Sequence, residues 1–131
     1  MKKGKYILFL ILLITLFIPS LIKAEEKDIT LYLFYRDSCP HCEEEREFLE
    51  NIKDDYPSLT IVMYELDNNE MNYNFFNKVI KSTGLNITAV PFTIIGTDYY
   101  EGYSSYVGSM IKSSIEKFLK TETIDVISYV K

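Results

Sequence analysis

"LYLFYRDSCPHCEEEREFL", residues 31–49, carries both cysteines of the chain and its only histidine. Its left half, extended back to Ile29, is almost wholly apolar or aromatic as far as Tyr35. That reads as a strand buried on both faces of a sheet. Its right half changes period. Phe48, Leu49 and Ile52 make a helical apolar stripe, Pro40 suits a first helical position, and Glu43, Glu44, Glu45 and Glu47 favour an early turn. A strand therefore runs into a helix at Cys-Pro-His-Cys, with Cys39 at the N-cap. A thiolate there accepts from the N–H of the third helical residue and faces the positive end of the helix dipole, so its pKa falls. His41, when protonated, adds a second positive charge beside it. Cys42, one turn further in, is placed to resolve. Pro40 removes only an N–H that has no helical partner, and it stiffens the turn. Glu43, Glu44 and Glu45 oppose a thiolate, and the expectation is that they point into water, where their field is screened.

Three chemistries compete for such a pair. Structural zinc usually takes four ligands, and this stretch offers two thiols and a histidine lodged between them. Haem attachment needs a histidine directly after the second cysteine, where Glu43 stands. A passive disulfide would close only a tiny loop, and loop-closure stabilisation grows with loop size. These points favour a redox pair with no metal, and leave the clip and the metal site as the alternatives.

Outward from this stretch, "LTIVMYEL" (59–66) reads as a second buried strand. "DNNEMNYNFFNKVIKSTG" (67–84) reads as a loop and a helix, with Met71, Phe75, Phe76, Val79 and Ile80 inward and Gly84 ending it. "PFTIIG" and "TDYYEGY" form a hairpin through a turn near Gly96 to Asp98. "SSYVGSMIKSSIEKFLK" is an amphipathic helix with Met110, Ile111, Ile115, Phe118 and Leu119 inward. The tail "TETIDVISYVK" reads as a short strand or a loose end. The order is β-α-β-α-β-β-α, and the first βαβ unit is parallel by the crossover rule. The fold class is α/β, a mixed sheet between two helical layers.

The first 24 residues differ from the rest. A basic start, an uncharged stretch at 6–22 and a small residue before a polar segment mark a secretory signal cut after Ala24. The competing expectation is an uncleaved membrane anchor through 6–22. Its 17 positions exceed the usual apolar region of a signal, about 7–15, yet fall short of the roughly 20 of a spanning helix. On either reading residues 25–131 form one domain outside the cytoplasm. That part carries 10 basic and 19 acidic residues, a formal charge of −9, which argues against nucleic acid as a partner.

Taken together, the strand running into "CPHC", the segment "STGLNITAVPF" ending in Val-Pro, and the terminal hairpin with its helix resemble the thioredoxin superfamily over about residues 29–119. The Cys-Pro-His-Cys motif is closest to the DsbA-type disulfide oxidases of the bacterial cell envelope. The resemblance implies that Cys39 attacks and forms the mixed disulfide, that Cys42 resolves it, and that His41 tunes Cys39, with Pro40 as the fourth residue of the catalytic motif. It implies that Pro91 is cis and faces the disulfide, and that the Val90 backbone pairs with an extended substrate chain. There are departures. Ser38 stands where thioredoxins carry Trp. Leu33 stands where they carry a buried Asp that takes a proton from the second cysteine, which leaves water, another carboxylate or His41 for that task. The large helical insertion of the DsbA type is missing, and with it their substrate groove.

The expected function is an extracytoplasmic, secreted or membrane-tethered thiol–disulfide oxidoreductase of bacterial type that oxidises or isomerises disulfides. Its partners would be cysteine-containing secreted proteins or peptides and a membrane or extracytoplasmic redox partner. No bound cofactor is required, because the disulfide carries the two electrons. The alternatives are a reductase fed from the membrane and a non-catalytic binding or chaperone module of the same fold.

Overall fold

β1 (Ile29–Tyr35) feeds α1 (Pro40–Ile52), and β2 (Leu59–Glu65) feeds α2 (Glu70–Thr83). β3 (Phe92–Ile95) and β4 (Asp98–Glu101) form the hairpin, and α3 (Ser105–Phe118) follows. The structure is a computed structural model that describes residue 4 and residues 27–130. The expected signal or anchor at 1–24 lies outside the described residues, Gly4 apart.

The sheet order is β2-β1-β3-β4. β1 pairs with β2 in parallel, Ile29 opposite Leu59 through Tyr35 opposite Glu65. β3 runs antiparallel to β1, with Thr93 opposite Leu33 and Phe92 opposite Phe34, and β4 is antiparallel to β3. The two-residue period of β1 divides its side chains between two cores. Ile29, Leu31 and Leu33 pack with Leu49, Ile52, Ile95, Ile111 and Ile115 under α1 and α3. Phe34 packs on the other face with Leu66, Val79, Phe92 and Ile94, under α2 and the tail. Helices cover both faces, giving the expected α/β/α layers.

Local chemistry sets the boundaries. Asn69 caps α2 by accepting from Asn72 N–H, and Ser104 caps α3 by accepting from Val107 N–H. Gly84 ends α2 in the left-handed region at φ 68°. The hairpin turns through Gly96, at φ 55°, where a Cβ would lie 2.9 Å from Phe118 Cε2.

Four expectations need correction. β2 is an edge strand rather than a fully buried one, and Thr60 and Met63 are exposed. Met71 is 79% exposed because it lies in the first turn of α2, before the helix reaches the sheet. Met110, 38% exposed, sits at the rim of the α3 stripe. The tail is neither strand nor loose end. Residues Val126–Tyr129 make a 3₁₀ turn, capped by Asp125, that buries Ile127 in the second core.

Candidate active site

Cys39 is the N-cap of α1, and its Sγ accepts from Cys42 N–H at 3.2 Å. Pro40 occupies the first helical position and Cys42 the third. The two cysteines are joined as a disulfide, with Cα atoms 5.2 Å apart. Their environments differ. Cys39 is half-buried at the rim, whereas Cys42 is wholly buried. Of the two, Cys39 is therefore the one that solvent reaches.

The loop ahead of the motif is tied on two sides. Ser38 Oγ donates to Asp67 Oδ2 at 3.0 Å, and Arg36 Nε lies 3.6 Å from the other oxygen of that carboxylate. Arg46, from the second turn of α1, reaches back to Asp37 at 3.2 Å and lies over the Tyr35 ring at 4.6 Å. These contacts fix the strand-to-helix corner from both ends.

The second wall comes from the start of β3. The Val90–Pro91 peptide is cis. The Val90 carbonyl oxygen lies 3.6 Å from Cys39 Sγ, and Pro91 is buried beneath it. The approach to this wall is held by Glu101 of β4. One oxygen of its carboxylate accepts from Thr88 N–H at 2.8 Å, Ala89 N–H at 2.7 Å and Thr88 Oγ at 3.2 Å. Those donors hold the Glu101 carboxyl below its ordinary pKa. Gly102 N–H, next in the chain, donates to the Pro91 carbonyl at 2.7 Å. Among the described residues, the Val90 N–H is engaged by no hydrogen bond.

The structure thus brings Pro40, Cys39, Cys42, Val90 and Pro91 into one place. His41 is turned away. Its Nδ1 lies 3.1 Å from Glu44 Oε2, both side chains are exposed, and no hydrogen bond joins the ring to Cys39.

Glu45 overturns the expectation that the acids after Cys42 all point into water. Glu43 and Glu44 do, but Glu45 is 0% exposed. The cause is helical phase. With α1 starting at Pro40, residues 42, 45, 49 and 52 share the face that packs on the sheet. The signal was present in the sequence, since the stripe of Leu49 and Ile52 projects back onto Glu45 and Cys42. Thr93 Oγ donates to Glu45 Oε1, and Oε2 has no hydrogen-bond partner among the described residues. Burial pushes the carboxyl up to about 7, against the smaller opposing effect of the Thr93 bond.

No family model matches the chain, and no curated protein matches it closely enough to count as a relative. Solved structures do resemble it. The thioredoxin of Trichomonas vaginalis superposes with a TM-score of 0.53 at 20% identity, over 69% of this chain and 78% of that one. The thioredoxin of Trypanosoma brucei brucei gives 0.54 at 16% identity, over 75% and 80%. Oxidised thioredoxin O2 of Arabidopsis thaliana gives 0.54 at 16%, over 74% and 83%. With β-α-β-α-β-β-α order, a mixed four-stranded sheet and Cys39 at the head of its first helix, the chain has the thioredoxin-like fold.

Proposed function

We propose that this protein is a thiol–disulfide oxidoreductase working outside the cytoplasm, where it oxidises or isomerises disulfides in cysteine-containing secreted proteins or peptides. The observation that carries the reading is the position of Cys39. Its sulfur caps α1, accepts the Cys42 N–H and borders the cis Val90–Pro91 wall. A thiolate released at that sulfur is stabilised by the helix N-terminus and by a ready N–H donor. Stabilising the reduced form makes the disulfide a better oxidant, which favours the donating direction. An extended substrate chain laid along Val90 finds an unengaged N–H there, the requirement for pairing by strand addition. Location outside the cytoplasm rests on the N-terminal sequence and on the compartments in which disulfides persist. A membrane or extracytoplasmic partner would restore the oxidised pair.

The test is the reduction potential of the Cys39–Cys42 pair, equilibrated against defined thiol buffers. A value between about −120 and −180 mV supports donation or isomerisation. A value near about −270 mV reverses the direction and makes the protein a reductase. Cys39→Ser is expected to abolish exchange with a disulfide peptide. Cys42→Ser is expected to leave the peptide trapped on Cys39.

A further inference from the structure

Cys42 is the wholly buried half of the redox pair, so the proton that it gains or loses needs a route other than direct contact with water. Leu33 supplies none, and His41 is engaged with Glu44 at the surface. One turn along α1, on the same buried face as Cys42, stands Glu45. Residues three apart on a helix are neighbours. Glu45 Oε1 is held by the Thr93 hydroxyl, and Thr93 is the β3 residue opposite Leu33. Oε2 is buried without a partner among the described residues. An apolar side chain would fill this position at lower cost, because a buried polar atom left unpaired destabilises a fold. Among the described residues no cation offsets its charge. Thr93 is neutral, Glu44 is exposed, and Tyr103, packed on Phe48 at 5.6 Å, is itself pushed up by burial and then by the Glu45 charge.

We propose that Glu45 is the proton partner of Cys42, replacing from the helix an acid that the strand lacks at Leu33. The inference rests on the redox reading above. In the oxidising direction a substrate thiolate attacks Cys39 Sγ. The Cys39–Cys42 bond breaks, its electron pair goes to Cys42 Sγ, and Cys42 takes the proton of the Glu45 carboxylic acid. A second substrate thiol loses its proton to solvent and attacks the substrate sulfur of the mixed disulfide. Cys39 leaves as the thiolate, the substrate disulfide departs, and Glu45 recovers a proton from solvent. Two electrons have moved from substrate thiols to the cysteine pair. In the reverse direction the Glu45 carboxylate takes the Cys42 proton as Cys42 attacks Cys39.

The two cysteines can be read separately. Reduced protein is mixed with dithiobis(nitrobenzoate), and the coloured thiolate is followed by stopped flow between about pH 6 and 8. Attack by Cys39 releases the first equivalent, and resolution by Cys42 releases the second. Glu45→Gln is expected to slow the second phase about 10²-fold, the size of general base catalysis. The second phase should lose its dependence on a group titrating near neutrality, and the first phase should keep its wild-type rate. A second phase unchanged in rate and pH profile overturns the proposal and leaves the redox reading standing. Equal slowing of both phases assigns Glu45 a structural role and also overturns it. A wild-type protein that releases no second equivalent removes the redox reading and this inference together. The wild-type chain provides a check independent of folding. The infrared carbonyl band of protonated Glu45, titrated in both redox states, is expected to shift its midpoint on reduction, because neighbouring titrations are coupled. An identical midpoint in the two states overturns the proposal.

Discussion

Single residues decide the chemistry of this site, and Glu45 has a consequence for the whole fold. Its carboxyl ionises near 4.5 when unfolded and is pushed up to about 7 when folded. Below about 4.5 both states hold the proton, and stability does not depend on this group. Between those values the unfolded chain gives up its proton while the folded chain keeps it, so stability falls as pH rises. Above about 7 the loss is complete, on the order of 3 kcal/mol. Urea unfolding at pH 5 and pH 8 should show that decline, and Glu45→Gln should flatten it. The positions of Cys39, Cys42 and Pro40 at the head of α1 were legible in the sequence, because a cap and a first-turn proline are local features. Glu45 was missed because a run of like charges reads as a solvated face. Only the phase of the helix against the sheet separates Glu45 from its neighbours.

At the scale of elements, β4 is more than the outer strand of the hairpin. Through Glu101 it holds Thr88 and Ala89, and so the approach to Val90. Glu101→Ala is expected to speed amide exchange at Thr88 and Ala89 several-fold and to weaken extended peptide substrates, while reaction of Cys39 with a small disulfide is preserved. An unchanged exchange rate at both amides would refute the clamp. The clamp is strongest while Glu101 is ionised. Its pKa is depressed, so the clamp holds at neutral pH and is lost only as pH falls through the lowered value. The turn joining β3 to β4 is equally particular. Gly96→Ala would place a side chain at φ 55° and against Phe118, at a cost of about 2–3 kcal/mol, measurable by chemical denaturation. The types of β1 to β4 and of α1 to α3 were legible, because periods of two and of 3.6 leave clear patterns. The exposure of β2 was not, because its edge position follows from sheet order and not from its own residues.

For the whole molecule, the two cores depend on partners distant in sequence. The tail closes the second core with Ile127, and Tyr32 of β1 donates to Asp125 at 2.7 Å. The Tyr32 phenol is pushed up to about 12, by burial first and the Asp125 hydrogen bond second. Ile127→Ala should cost about 2–3 kcal/mol, seen as a lower denaturation midpoint, and an unchanged midpoint would mean that the tail is a passenger. The sequence left the tail open because four residues of 3₁₀ turn carry no period to read. The same distances bear on the site. Cys39 and Cys42 are three residues apart, while Cys39 and Val90 are separated by 51 and meet through the pairing of β1 with β3. The two sulfurs can thus meet in a chain that is still unfolded, whereas the Val90–Pro91 wall stands beside Cys39 only after that long-range pairing has formed. Cysteine pairing needs only local chain closure, and the wall needs the whole sheet. A newly made molecule holds both thiols before it holds the wall beside them.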